Sequence, residues 1–201
     1  MLKKNYRRVS MIPSFDSCFD LMRRYGMLEN IVSHSIVVAG LAHHIASALN
    51  SAGIHVSVAR ATAGALLHDI GKTQSLGTDI DHAELGRRIC LRHRLDEIAD
   101  LVGEHIFLKD PDLNGTYTEN EIVYYADKRV NHDRIVSLDQ RLEYIIRKYG
   151  GNNSHLQEGI TRNFALCARV EQKLFKPLTI RPESLSELVR PGFLFTKEDS
   201  R

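Results

Sequence analysis

His68-Asp69-Ile70-Gly71-Lys72 is the stretch on which the reading of this sequence turns. It follows Val58, Ala61, Ala65 and Leu66, whose spacing predicts a helix of small residues suited to tight packing. Adjacent histidine and carboxylate side chains normally point different ways on a helix. At a helix end, with Gly71 releasing the backbone, both can turn toward one point. A neutral imidazole and a carboxylate together make a good pair of ligands for a divalent metal.

Two further ligand types lie at suitable places. Ile31, Val37, Val38, Leu41, Ile45 and Leu49 follow the spacing of a core-facing helical stripe, with Gly53 just past its end. His34 sits three residues before Val37 and seven before Leu41, on the same inward face. Thr118-Glu119-Asn120-Glu121 is a capping box that opens a helix carrying Ile122, Val123 and Ala126. On that helix Asp127 comes four residues after Val123 and three before Val130, so it also faces inward. A buried carboxylate or histidine costs several kcal/mol unless it is paired or metal-bound. Three helices, each aiming a ligand inward, suggest a metal site in the core of a bundle.

The rest of the chain reads as helix too. One helix opens near Asp81 and carries Leu85 and Ile89; the next carries Leu95, Ile98, Leu101 and Val102. Ser137-Leu138-Asp139-Gln140 opens a helix that runs to Tyr149 and stops at Gly150. Ser154 to Gln157 is read as a third capping box, opening a long segment that ends before Pro177. A short helix around Leu185 and Leu188 should follow, with a frayed tail. The expected loops are 71–80, 107–117 and 150–153. Strand-like alternation is weak throughout. The fold class is therefore all-α: a helical bundle with peripheral C-terminal helices.

Composition bounds the function. The chain has 201 residues, 43% apolar and 26% charged, which suits one globular domain. Its 27 basic and 25 acidic residues leave a net charge of +2, which excludes a strongly basic body built to coat nucleic acid. No apolar run approaches the ~20 residues of a membrane span, so no membrane partner is expected. The basic start, Met1 to Arg8, has no apolar stretch behind it, so no signal peptide is expected. Cys18, Cys90 and Cys167 are scattered and read as reduced thiols of a cytoplasmic protein.

Taken in order, His34, then His68-Asp69-Ile70-Gly71-Lys72, then Asp127 within Tyr125-Ala126-Asp127-Lys128, resembles the HD superfamily of metal-dependent phosphohydrolases. The resemblance covers about residues 29–135, with 1–28 as an N-terminal segment and 136–201 as a C-terminal helical extension of the same domain and tail. It implies a bundle of five or more helices in which His34, His68, Asp69 and Asp127 bind one divalent metal. His82-Ala83-Glu84-Leu85-Gly86 is similar to the His-x-x-x-Gly of binuclear HD proteins, and His105 falls where such proteins place another ligand. His82 and His105 would then hold a second ion, with Asp69 bridging and Lys72 beside the metals as a phosphate-binding cation. Asp69 and Lys72 are the catalytic residues on this reading. Mn, Fe, Ni, Mg or Zn suits a mixed histidine and carboxylate set.

The chain departs from the HD-GYP branch, because Ile106 follows His105 and the nearby segment reads Asn114-Gly115-Thr116-Tyr117. Cyclic-dinucleotide cleavage is not expected. Asp127-Lys128-Arg129-Val130 with Arg134-Ile135-Val136-Ser137 resembles small stand-alone HDIG-type phosphohydrolases. The implied function is hydrolysis of a phosphate ester or anhydride of a nucleotide-like small molecule by metal-activated water. A regulatory or binding module retaining the fold and metal site is the alternative. Action on RNA ends is a third reading, against which the near-neutral charge weighs. The expected partner is a small phosphorylated substrate; nucleic acid is not expected, and homo-oligomerisation stays open. The plainer readings make His82 and His105 surface histidines and Lys72 a solvated loop lysine. His43, His44, His55, His93, His132 and His155 are taken as structural or surface residues, and Arg87, Arg88, Arg92 and Arg94 as a solvated helix face.

Overall fold

The computed structural model describes residues 11–189. The basic start and the tail beyond Val189 lie outside the described residues. A first helix, α1 (Phe15–Arg24), is capped by the Ser14 hydroxyl, which accepts the Ser17 N–H. The sequence reading places no helix there, yet Cys18 and Met22 anchor it in the core. Next come α2 (Glu29–Ser51) and α3 (Val58–Leu67), packed along one another. All six residues of the stripe read from Ile31 to Leu49 are buried. By length and composition α2 could cross a membrane, contrary to the expectation drawn from apolar runs. Inside the bundle 56% of its most apolar window is buried, so core packing accounts for that character.

The small residues of α3 let α6 (Asp96–Glu104) approach closely: a Cβ on Gly64 would lie 2.7 Å from Leu101. Between them run α4 (Lys72–Ser75), a single turn inside the expected 71–80 loop, and α5 (His82–Arg92), capped by Asp81. Gly71 departs from its expected role. Its φ is −83°, so the backbone stays right-handed through His68 and Gly71. Glycine is needed because a Cβ there would lie 2.4 Å from the His82 carbonyl and 2.8 Å from the Gly86 nitrogen. The start of α5 can therefore sit directly on the 68–72 segment.

The capping box at Thr118 forms as read and opens α7 (Glu119–Lys128), which crosses α2 and α3. Immediately after it a short antiparallel hairpin, β1 (Val130–Asn131) and β2 (Arg134–Ile135), pairs Val130 with Ile135. Each strand is only two residues long, too short to show alternation. The Ser137 capping box opens α8 (Leu138–Ile145), which ends in a π turn, Ile146–Gly150. The third cap is shifted by one residue: α9 (Ser154–Phe175) is capped by Asn153, whose side chain accepts the Leu156 N–H. After α9 come a 3-10 turn (Pro182–Ser184) and α10 (Leu185–Leu188). Among the described residues the fold is all-α apart from the hairpin.

Two buried ionic contacts tie the C-terminal helices to α7. Lys173 donates to both Glu121 oxygens and to the carbonyls of Asp112 and Thr116. The Arg129 guanidinium reaches Glu171, the Tyr125 hydroxyl and the carbonyls of Val136 and Pro182.

Candidate metal centre

The end of α3 delivers His68 and Asp69, α2 delivers His34, α7 delivers Asp127, α5 delivers His82 and the end of α6 delivers His105. All six expected residues meet in one place. His34, His68 and Asp127 offer ligand atoms within 4.8 Å of one another, and so do His68, Asp69 and His105. The Nε2 of His34 lies 3.1 Å from Asp127 Oδ1, and that of His68 lies 3.7 Å from the same oxygen. Around Asp69, His68 Nε2 is 3.4 Å from Oδ2, while His82 and His105 Nε2 are 3.3 and 3.5 Å from Oδ1. His82 is the most exposed of the four histidines, at a quarter of its side chain.

The backbone orients three of the imidazoles. The Nδ1 hydrogens of His34, His68 and His105 are donated to the carbonyls of His132, Ala65 and Val102, each at 2.7 Å. A carbonyl can only accept, so Nδ1 carries the proton and the neutral ring presents its Nε2 lone pair inward. Those lone pairs face two carboxylates. Neutral rings so arranged repel the carboxylate oxygens unless a cation lies among them. His68 Nε2 and Asp69 Oδ1 are fully buried and lack a hydrogen-bond partner. Orphaned buried acceptors of this kind are costly, and a divalent ion with nitrogen and oxygen ligands satisfies both. The donor set thus fits a divalent metal.

Burial alone would raise the Asp69 carboxyl, yet the imidazoles of His68, His105 and His82 packed around it hold it well below the usual carboxylate range. Asp127 is likewise depressed: burial opposes, but the adjacent His34 imidazole and the Lys128 charge prevail. His105 is pushed down, chiefly by burial, which favours its neutral, ligating form. His68 is pulled up despite its burial, because Asp69 lies beside it.

Lys72 is not a free loop lysine. Its ammonium donates to Asp69 Oδ2 at 2.7 Å, and a third of its side chain remains exposed toward the cavity above the centre. That cavity has a volume of about 410 Å³. Two cations on it went unread in the sequence. Lys128, next to Asp127, is buried, donates to the His105 carbonyl at 2.8 Å and lies 3.7 Å from the centre of the Tyr124 ring. Arg141 of α8 donates to Asn131 Oδ1 at 2.9 Å and lines the cavity. Their signal in the sequence is only a charge beside a motif. His93 instead pairs with the Tyr25 hydroxyl at 2.9 Å, and Arg87 and Arg88 pair with Asp100 and Glu84 on the surface.

Comparison with known proteins agrees with this architecture. A ribonuclease Y of Treponema denticola is 33% identical over 188 aligned residues, covering 79% of this chain and 35% of the relative. A tRNA (cytidine(56)-2'-O)-methyltransferase of Thermoplasma volcanium is 38% identical over 101 residues, half of this chain and 28% of that enzyme. An uncharacterised protein of Methanocaldococcus jannaschii is 27% identical over 148 residues, 67% of this chain and 86% of the relative. The chain thus spans about a third or less of the two enzymes. No solved structure matches it significantly. The HD domain family matches residues 31–132, half of the chain, and that stretch contains every residue converging on the centre. The order of histidines and aspartates, the helical core that gathers them and this match make the chain a member of the HD domain family.

Proposed function

We propose that the protein is a metal-dependent phosphohydrolase that cleaves a phosphate ester or anhydride of a nucleotide-like small molecule. One observation carries this reading: Asp69, His82, His105 and Asp127 of the centre form the floor of a cavity that also holds three cationic side chains, Lys72, Lys128 and Arg141. A volume of about 410 Å³ is that of a site for one small ligand. His34, His68 and Asp127 would hold one ion, and Asp69, His82 and His105 a second, with Asp69 shared between them. A divalent ion bound there polarises a phosphoryl oxygen and makes water a nucleophile near neutral pH. Lys72 and Lys128 supply positive charge where negative charge develops in the transition state. Lowered pKa values keep Asp69 and Asp127 ionised at neutral pH. Residues 29–135 would form the core and 136–201 an extension of the same domain, since α8 and α9 complete the cavity.

The test is elemental analysis of protein prepared without chelators, followed by phosphate release from a panel of nucleotides, sugar phosphates and a short oligoribonucleotide. One or two ions per chain with turnover of small nucleotides is expected. Metal uptake without turnover would instead mark a regulatory module. Preference for the oligoribonucleotide would move the function toward RNA, as the names of the ribonuclease and tRNA-modifying relatives would suggest.

A further inference from the structure

The family match ends at residue 132, but the cavity does not. Much of its wall comes from Arg141 and Ile145 of α8, Tyr149 of the π turn, and Leu156, Ile160 and Phe164 of α9. This wall is apolar and aromatic, whereas the floor is ionic. Of the large apolar side chains lining the cavity, Tyr149, Leu156 and Phe107 are 53%, 46% and 65% exposed. Large apolar side chains left in water around a polar pocket mark a ligand surface.

We infer that α8, the π turn and α9 build a nucleoside subsite that accepts the base by stacking and apolar contact without reading its identity. This inference deepens the phosphohydrolase reading and rests on it. The ligand must carry an anionic end for the metal centre and its cations, and a flat, weakly polar body for Tyr149 and its neighbours. A nucleotide has both; a sugar phosphate has only the first. Base identity is read by hydrogen bonds, and the wall has few to give. The Asn163 amide is engaged at both ends, accepting from the Tyr124 hydroxyl at 2.8 Å and donating to the Ile106 carbonyl at 2.9 Å. The Ser75 hydroxyl donates to the Lys72 carbonyl. Stacking on aromatic faces tolerates any base, whereas a pocket built on buried hydrogen bonds rejects a wrong partner by ~10⁴-fold or more. Arg141 has five N–H donors, of which Asn131 takes one, so others remain for ribose or phosphate oxygens. The π turn gives Tyr149 its place on the wall, and such turns are frequent at functional sites.

The full chain loaded with Mn²⁺ should be assayed for phosphate release from AMP, GMP, CMP, UMP, ribose 5-phosphate and hexyl phosphate. Equilibrium dialysis should measure binding of the same compounds. The four nucleotides should agree in kcat/KM within about 10-fold, and AMP should exceed ribose 5-phosphate by about 10-fold or more, as stacking of one base provides. Tyr149→Ala should lower the AMP to ribose 5-phosphate ratio by about 10-fold, and Tyr149→Phe should restore it. One base favoured by ~10³-fold or more, hexyl phosphate equal to AMP, or a ratio unmoved in Tyr149→Ala would each overturn the inference. If wild-type protein releases phosphate from nothing, the phosphohydrolase reading fails. Dialysis then decides the subsite: Tyr149-dependent preference for AMP over ribose 5-phosphate upholds it, and equal binding of the two overturns it.

Discussion

The carbonyl of His132 accepts the Nδ1 hydrogen of His34 at 2.7 Å, so the tip of a four-residue ladder sets the tautomer of a candidate metal ligand. His132 holds this position with φ at +56°, a region in which β-branched residues are strained. His132→Val should cost about 1–3 kcal/mol in stability. Its displaced carbonyl should weaken metal affinity about 10-fold or more, as loss of an orienting partner does. His132→Gly should retain metal affinity and hold stability within about 1 kcal/mol. Metal titration and denaturant unfolding of both variants check this; equal behaviour of the two would detach the hairpin from the centre.

Asp69 stands among His68, His82, His105 and Lys72, whereas His82 has its nearest charged partner in Asp69 alone. Asp69→Ala should therefore abolish both metal uptake and activity. His82→Ala should leave at least one ion bound, because the group of His34, His68 and Asp127 does not include it. Elemental analysis of the two proteins distinguishes the roles, and an active Asp69→Ala beside an inactive His82→Ala would reverse them.

Arg129 is a clamp on the C-terminal helices. It is buried, and four acceptors surround its guanidinium, one of them the Glu171 carboxylate at 2.8 Å. Arg129→Ala leaves Glu171 and the Tyr125 hydroxyl without this donor, and breaking such a buried pair costs about 3–5 kcal/mol. Arg129→Lys should recover less than half of that, because an ammonium cannot reproduce the planar fork. Urea unfolding measures both; a loss below 1 kcal/mol, about that of an exposed pair, would show that the clamp is dispensable.

Much of this was legible in the residues, and the gaps have physical causes. The stripe from Ile31 to Leu49 and the capping boxes at Thr118 and Ser137 are local signals, so the elements they define lie where read. His34 and Asp127 face inward because apolar spacing fixes which side of their helices is buried, and His68 follows at the end of α3. At Gly71 it is the lack of a side chain, not backbone freedom, that matters, because it admits α5, a tertiary contact that spacing does not encode. The hairpin at 130–135 is too short for a period-two pattern. Arg141 and Tyr149 come to the centre only through the packing of α9 on α7 and of α8 on α9, and no local motif announces them.

Alkaline sensitivity follows from the buried thiols. Burial pushes Cys18, Cys90 and Cys167 each from an ordinary 9.0 up to about 12. The folded state therefore keeps protons that the unfolded state releases. Their contribution to stability is complete below pH 9 and is lost as pH rises toward 12. Each thiol adds a slope approaching about 1.4 kcal/mol per pH unit in that window, and the buried hydroxyls of Tyr124 and Tyr125, also raised by burial, act in the same direction. Stability should be flat from pH 7.5 to 8.5 and fall steeply above pH 9.5, on the order of those ordinary thiol values. Iodoacetamide at pH 8 should label the three thiols only after unfolding. Rapid labelling of the native protein would show that the burial is not maintained in solution.

Lys72 separates charge stabilisation from metal binding. Its ammonium has no lone pair for a metal at neutral pH. It keeps its charge, because Asp69 raises its pKa against the opposing effect of burial. The 2.7 Å contact with Asp69 Oδ2 fixes the head of the side chain at the floor of the cavity, with one face toward solvent. A phosphoryl group arriving there would meet a positive charge already in place, with no reorganisation needed as negative charge builds. Removing that charge leaves the histidines and carboxylates where they are. Lys72→Ala should keep its metal content and its fold, and lose on the order of 10²-fold in kcat, as the removal of one preorganised donor does. Lys72→Arg should recover only part of the loss, since a planar guanidinium pairs with Asp69 in a different geometry. Metal content, circular dichroism and phosphate-release kinetics on the same samples decide the matter. Unchanged kinetics would reduce Lys72 to a partner for Asp69, and lost metal would mean that its charge is needed to hold Asp69 in place.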